Sequence, residues 1–174
     1  MELFVSKYYY KIDRKGRVSF PSTFRNVLPK SNKNEIILFK SIKTNSIEGC
    51  GVERLQEIAK RINNLDFFSE DYDDFSNSIF SEIVQVKIDN EGRFLIPDDL
   101  KNYANITKEA AFFGQGHFFQ IWEPGRGSKN SEISRKRLLR NSKIVANSTR
   151  LQIKSVQESL GAIRDIILDG TQEV

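Results

Sequence analysis

Three cations in one short segment are the residues of this chain best suited to chemistry. Arg14, Lys15 and Arg17 surround Gly16 and follow Asp13. Glycine favours a tight turn because it accepts a positive φ, and an aspartate there can accept backbone N–H bonds. Three cations on one turn can neutralise phosphates, and an arginine can bond bidentately to a guanine edge. The alternative is an Arg17–Asp13 ion pair that only stabilises the turn.

The same pattern returns later in the chain. Asp89, Gly92, Arg93 and Pro97 repeat the residue types found at positions 13, 16, 17 and 21, with a constant offset of 76. Repetition in register predicts a tandem duplication of one supersecondary unit. The second copy is less basic, because Glu91 stands where the first copy has a lysine.

Each copy predicts a strand, a turn, a return strand and a short helix. The β-prone segments 6–12 and 83–88 precede the two turns. A proline ends each return strand because it has no N–H for the ladder. Short helices are expected over 22–28 and 98–103, where Ser22 or Pro21 in the first copy and Asp98 in the second provide start signals.

The remaining apolar segments predict further elements. Residues 35–39, 110–113 and 118–122 are expected to be strands, the last two joined by a hairpin at Gly114 and Gly116. The spacing of apolar residues over 52–62 predicts an amphipathic helix.

Three other segments are polar or lie in the tail. The acidic run 66–74 is interpreted as a solvated loop, and 124–128 as a linker or turn. Apolar residues spaced by three and four predict a short helical seam, formed by Ile153, Val156, Leu160, Ile163 and Ile167.

Charge and composition exclude several classes of protein. The chain has 174 residues and a net charge of +4. Residues 7–33 hold eight Lys or Arg against one acid, and 125–174 hold ten against five, which favours a polyanionic partner. No apolar run approaches a membrane span, and no signal peptide is visible. One Cys and one His form neither a disulfide framework nor a usual zinc site, so no metal or cofactor is expected.

The duplicated strand–Asp-x-x-x-Gly-Arg–strand–Pro–helix unit resembles the MraZ family, which is similar to the AbrB/MazE swapped-hairpin DNA-binding proteins. The resemblance covers about residues 1–124, and Ile121-Trp122-Glu123 lies where such sequences usually close the second half. It implies an α+β, mainly β fold: a tandem-duplicated swapped-hairpin, double-ψ-type β-barrel with short helices and a helical tail. The domains are then a first SpoVT/AbrB-like repeat at 1–76, a second at 77–124, and a basic helical extension at 125–174.

The resemblance also implies a function. It implies a sequence-specific transcriptional regulator that binds short direct repeats of double-stranded DNA upstream of its own operon, in the division and cell-wall gene cluster. It implies a ring-shaped homo-oligomer, with an octamer as one candidate, located in the cytoplasm at the nucleoid. Neither a membrane nor a small-molecule substrate is expected as a partner.

The predicted site follows the two turns. Asp13, Gly16, Asp89 and Gly92 are expected to shape the turns, because an aspartate is repelled by phosphate. The residues expected to contact DNA are Arg14, Lys15, Arg17, Arg25, Arg93 and Lys101.

Other functions stay open at this stage. In an antitoxin-type protein the basic tail would bind a partner protein, and the cluster 135–140 is equally compatible with DNA contact and with the polar face of a helix. In an enzyme, Asp13 and Asp89 would be paired carboxylates that could bind a metal for hydrolysis, but no nucleophile–base motif accompanies them, so no catalytic residue is predicted. Cys50 and His117 are interpreted as structural, and the tyrosines 8–10 as core or cross-strand residues rather than base-stacking ones.

Overall fold

The computed structural model describes residues 3–64, 67–142 and Lys154. All five apolar residues of the predicted helical seam lie outside these residues. None of the helices described is both long enough and apolar enough to cross a membrane.

Eight strands and five α-helices make up the described fold. The strands are β1 (Lys7–Lys11), β2 (Arg17–Ser19), β3 (Glu35–Lys40), β4 (Ile47–Cys50), β5 (Val84–Lys87), β6 (Arg93–Leu95), β7 (Glu109–Gln115) and β8 (Phe118–Trp122). The helices are α1 (Ser22–Arg25), α2 (Val52–Ile62), α3 (Glu70–Ile79), α4 (Asp98–Tyr103) and α5 (124–142), with 3-10 turns at Lys30–Asn32 and Phe80–Glu82. The protein is therefore an α+β fold with a core built on its sheets.

The strand order is symmetric under exchange of the two sequence copies. The larger sheet has the order β1-β7-β8-β4-β3-β5, and β2 pairs with β6 in a small second sheet. When each of β1–β4 is exchanged with its counterpart among β5–β8, the larger sheet has the same strand order, read from the opposite edge. Val18 faces Phe94 at the centre of the small sheet, and these positions differ by the repeat offset of 76. The duplication seen in the sequence is thus a pseudo-twofold relation in the strand pairing.

Each copy supplies strands to the other. β1 of the first copy pairs with β7, and β5 of the second pairs with β3, all antiparallel. Equivalent pairs even match in chemistry, since Lys11 faces Glu109 and Lys87 faces Glu35. Neither copy therefore completes its own sheet.

Both sheets are open in the part of the chain that the structure describes. β1 and β5 are the edges of the larger sheet, and the small sheet has only two strands. The strand pairing of the described residues therefore gives open sheets and not the closed double-ψ-type barrel that was expected. The physical reason is that β2 and β6 hydrogen-bond to each other and leave the larger sheet.

A cluster of phenylalanine rings joins the two copies. Phe20, Phe24, Phe94, Phe112 and Phe119 are almost completely buried. Their ring centroids lie 5.2–6.5 Å apart, mostly in edge-to-face contacts, the geometry that aromatic quadrupoles prefer. Because Phe20 and Phe94 directly follow or lie in β2 and β6, this cluster holds both turns on one core.

Several predicted elements are confirmed and others need correction. The helices predicted over 52–62 and 98–103 have the predicted bounds, whereas α1 ends at Arg25 and is shorter than expected. The acidic run is not a loop throughout. It enters α3, because Ser69 caps that helix by accepting a hydrogen bond from the backbone N–H of Tyr72 at 3.1 Å.

The segment 124–128 was wrongly predicted as a linker, since it begins α5. The Glu123 carboxylate accepts the backbone N–H groups of Gly125 and Arg126 at 3.1 and 2.9 Å, and proline suits the first helical position. The chain divides into two compact units at this helix, residues 1–128 and 129–174.

The β7–β8 hairpin and the tyrosines of β1 also bear on predicted features. Gly116 has φ +79° at the β7–β8 turn, whereas Gly114 lies within β7, where a Cβ would collide with the backbone of Phe4. Tyr8 and Tyr10 pack against the core, and Tyr9 is half exposed at the edge of the Phe113 ring. Since Phe113 lies on the paired strand β7, the interpretation of the tyrosines as core or cross-strand residues is confirmed.

Candidate nucleic-acid interface

The first turn is held together by a single carboxylate. Asp13 Oδ1 accepts the backbone N–H groups of Lys15 and Arg17, both at 2.9 Å. Asp13 Oδ2 accepts the Arg17 side chain, with Nε at 2.9 Å and a terminal nitrogen at 2.8 Å. Gly16 has φ +79°, where a residue with a Cβ would be strained. The turn predicted at Asp13 is thus confirmed, and the Arg17–Asp13 ion pair that stands as the alternative to DNA contact is also present.

The second turn repeats this geometry. Asp89 Oδ1 accepts the backbone N–H groups of Glu91 and Arg93 at 2.9 and 2.8 Å. Asp89 Oδ2 accepts two nitrogens of the Arg93 guanidinium at 3.2 and 3.1 Å. Gly92 has φ +78°. The motif therefore produces the same local structure twice, with Asp as the acceptor and Gly at the positive φ in both turns.

These hydrogen bonds keep both aspartates charged. The backbone N–H of Arg17 is the largest influence that lowers the pKa of Asp13, followed by the hydrogen bond from the Arg17 side chain, while partial desolvation opposes it. The pKa of Asp89 is lowered in the same way by the backbone and side chain of Arg93. Each carboxylate is bonded to the backbone and to the arginine of its own turn, so this geometry gives no support to an enzyme that uses the two as a pair.

Charge distribution separates the two turns. Arg14 and Lys15 are exposed, and the Arg17 side chain is about one-third exposed, so all three cations are accessible. At the equivalent positions 90 and 91 the second turn has Asn and Glu. Glu91 forms an ion pair of 2.6 Å with a terminal nitrogen of Arg93. The first turn is a cluster of cations, whereas the second turn contains its own counter-ions.

The two turns meet across the pseudo-twofold axis. The third nitrogen of Arg17 lies 3.8 Å from Asp89 Oδ2 of the other turn. The guanidinium of Arg25, on α1, lies against Gly92, where a Cβ would collide with it. At the equivalent place, Lys101 Nζ would be 3.9 Å from a Cβ on Gly16. Each turn is thus covered by a cation from the helix of the other copy.

These two covering cations differ in their surroundings. Lys101 forms an ion pair of 2.7 Å with Asp98, three residues earlier on α4, a partner that the sequence analysis missed although the spacing signals it. The Arg25 Nε is buried and has no hydrogen-bond partner among the described residues. The structure thus brings together all six predicted DNA-contact residues around the two turns.

The cysteine and the histidine lie elsewhere. Cys50 is fully buried in β4, and this burial raises the pKa of its thiol to about 12, so it is an inert thiol at neutral pH. His117 lies at the β7–β8 turn and lines an open cavity of about 460 Å³ beside α2. Among the residues described, no cluster of three or more His, Cys, Asp or Glu side chains has the arrangement of a metal site.

Comparison with known proteins identifies relatives over most of the chain. The family model described as "MraZ protein, putative antitoxin-like" matches residues 79–132, which include the second turn. A protein of Rickettsia akari named "Transcriptional regulator MraZ" is 39% identical over 136 residues, 78% of this chain and 91% of its own length. The protein of the same name from Rickettsia typhi is 38% identical over 156 residues, 90% of this chain and 99% of its own length.

A third relative of that name, from Rickettsia bellii, is 42% identical over 125 residues, 71% of this chain and 83% of its own length. Each of these three alignments is longer than either sequence copy and therefore reaches into both copies. The duplicated turns, the exchanged strands and these relatives lead to one conclusion: the chain belongs to the MraZ family.

Proposed function

We propose that this protein is a sequence-specific DNA-binding transcriptional regulator. The observation that carries the proposal is the first turn, which Asp13 holds rigid while Arg14, Lys15 and Arg17 remain accessible. Because Asp13 already orients Arg17, this side chain loses little conformational entropy on binding, and cations that neutralise phosphates release the counter-ions of DNA. The names of the relatives support a role in transcription regulation.

Arg17 has the central role in this proposal. Asp13 orients its guanidinium through two nitrogens, and the third nitrogen has only a distant carboxylate, at 3.8 Å. An oriented and partly free arginine suits guanine O6 and N7, the commonest specific base contact. Arg14 and Lys15 would then bind the flanking phosphates, and Arg25 and Lys101 would extend the basic surface.

The finer architecture is also part of the proposal. We propose that the exchanged strands, with β2 against β6, form an intramolecular swapped-hairpin core of the AbrB type. Copies of the chain assemble into a ring, so that successive subunits reach successive direct repeats. The operator lies upstream of the protein's own operon in the division and cell-wall gene cluster, and the protein resides at the nucleoid.

The test is a titration with a labelled duplex from upstream of the protein's own gene, against a scrambled duplex, at low and physiological salt. Tight binding that favours the native duplex and weakens with salt is expected, and Arg17→Ala should weaken it by roughly 10- to 100-fold. Arg61→Ala, an exposed arginine on α2, is the control and should have little effect. Equal affinity for both duplexes would contradict the proposal.

Two further measurements address the finer statements. Native mass spectrometry should show a closed homo-oligomer, and a monomer at micromolar concentration would contradict the ring. Footprinting upstream of the gene should show protection at regular intervals, and a single protected site would contradict binding to repeats.

A second candidate is the antitoxin-type function, in which the tail binds a partner protein. It is favoured by α5, which exposes Leu138 and Leu139 beside a basic cluster at 135–140. The family model also carries the words "antitoxin-like". Removal of residues 129–174 should then abolish co-purification of a small partner protein while operator binding stays. An unchanged set of co-purifying proteins would remove this candidate.

A further inference from the structure

Glu91 distinguishes the two otherwise equivalent turns. Its backbone N–H donates to Asp89 Oδ1 at 2.9 Å, which is the same contact that Lys15 makes with Asp13. Its side chain, by contrast, pairs with Arg93 at 2.6 Å. The main chain of residue 91 therefore builds the turn, and the carboxylate is free to have another role.

The carboxylate of Glu91 completes the neutralisation of Arg93. Two nitrogens of this guanidinium already contact Asp89, and Glu91 takes the third. The hydrogen bonds and charges of Asp89 and Glu91 outweigh partial desolvation and raise the pKa of Arg93. A DNA phosphate that approached Arg93 would have to displace one carboxylate and would be repelled by both.

The first turn has no such group. The side chain of Lys15 is a cation at the equivalent position, and the third nitrogen of Arg17 lies 3.8 Å from its nearest carboxylate partner. Over residues 13–17 three cations face one acid, whereas over 89–93 one cation faces two acids. The turns share their backbone and differ in the sign of their net charge.

We propose that Glu91 occupies at Arg93 the position that a DNA phosphate would take, so that each chain binds DNA through its first turn alone. The inference rests on the proposed function and deepens it. Glu91 is then a specificity-determining residue, because it prevents the second turn from binding a second, adjacent stretch of operator.

The ion pair itself is weak, and this makes the inference testable by mutation. The Glu91 side chain is 69% exposed, and exposed pairs contribute little to stability. Glu91→Gln keeps the backbone hydrogen bonds of the turn and removes one negative charge. The variant should fold as the native protein does, which thermal unfolding checks.

The experiment compares Glu91→Gln with Glu57→Gln. Glu57 pairs with Arg54 on α2, also at 2.6 Å and also largely exposed, so the two variants have the same change in net charge. Glu91→Gln should tighten binding to the native duplex by roughly three- to tenfold and steepen the salt dependence by about one phosphate contact. Glu57→Gln should change neither quantity. Equal effects of the two variants would overturn the inference.

Exchanging the charges of residues 15 and 91 provides an independent test. In the Lys15→Glu/Glu91→Lys protein the net charge is unchanged, and the second turn becomes the cationic one. Arg17→Ala should be the damaging arginine substitution in the native background, and Arg93→Ala in the exchanged background. If Arg93→Ala costs as much affinity as Arg17→Ala in the native background, the inference is wrong.

Failure of the inference is distinguishable from failure of the proposed function. Preference of the native protein for its own duplex, with Glu91→Gln behaving like Glu57→Gln, would overturn the role of Glu91 only. Absence of any preference between native and scrambled duplex would overturn both.

Discussion

The turn at residues 13–17 and the turn at residues 89–93 have the same backbone and opposite net charge. In each, an aspartate accepts two backbone N–H groups and orients an arginine four residues later. Only the first turn carries exposed cations at its tip, while the second carries Glu91. The comparison teaches that Asp, Gly and Arg recur with the shared shape of the turn, and that the two residues between Asp and Gly determine its net charge.

The two copies can also be compared in the small sheet that follows the turns, where β2 pairs with β6. Val18 and Phe94 are equivalent residues that face each other on the pseudo-twofold axis, and both are almost fully buried. They differ in volume, so the axis is symmetric in backbone pairing and asymmetric in packing.

The largest expected effect comes from this central pair. Phe94→Ala should lower the free energy of unfolding by about 3–5 kcal/mol, since it removes a ring packed against Phe20 and Phe112. Val18→Ala should cost about 2 kcal/mol because fewer buried methyl groups are removed. Urea unfolding of both variants measures the difference. Equal losses would contradict the asymmetric packing.

The turn glycines should show the next largest effect. Gly16→Ala and Gly92→Ala each place a Cβ at a positive φ, which costs about 1–2 kcal/mol. Gly92→Ala must also displace the Arg25 guanidinium, whereas near Gly16 the closest atom is Leu95 Cδ1, at 3.2 Å from the new Cβ. We expect Gly92→Ala to be the more destabilising variant in thermal unfolding, and the reverse order would show that Arg25 moves without cost.

The aspartates should make stability depend on acid pH. The pKa of Asp13 and that of Asp89 are lowered in the folded protein from the ordinary value of 3.8. The unfolded chain therefore binds protons first, so their stabilisation is present above that pH and is lost as the pH falls through the lower, folded-state pKa. Asp13→Asn and Asp89→Asn should each reduce stability at pH 7 and flatten its decline in acid.

Denaturant titrations between pH 7 and pH 2 measure how steeply the free energy of unfolding falls with pH. The two variants should behave alike, because equivalent backbone N–H groups donate to the carboxylate in both turns. A slope that changes in only one variant would break the structural equivalence of the turns.

The smallest expected effect concerns the tips of the turns. Arg14 and Asn90 are equivalent and exposed. Arg14→Ala should weaken operator binding a few-fold and reduce the salt slope by about one. Asn90→Ala should leave both unchanged, as measured by the same duplex titration over a range of salt. A matching loss in Asn90→Ala would place the second turn on the DNA.

Local sequence signals predicted the parts of the fold that depend on near neighbours. The Asp-x-x-x-Gly-Arg turns, the helix α4 and the helix α2 follow from capping, glycine and apolar spacing within a few residues. Where local signals were weak the prediction failed. β4 was missed because its sequence Ile-Glu-Gly-Cys is short and contains a glycine, and α5 was missed at its start because Gly125 and Gly127 concealed the cap by Glu123.

The sequence by itself determined the two turns, their repeat offset of 76 and their difference in charge. Only the tertiary structure decided that β1 pairs with β7, that β5 pairs with β3, and that Arg17 approaches Asp89 of the other turn. The reason is that a turn satisfies its hydrogen bonds within five residues, whereas a strand can pair with any edge of suitable register. Which edge it meets depends on burial of the shared phenylalanine cluster, and no local pattern encodes that partner.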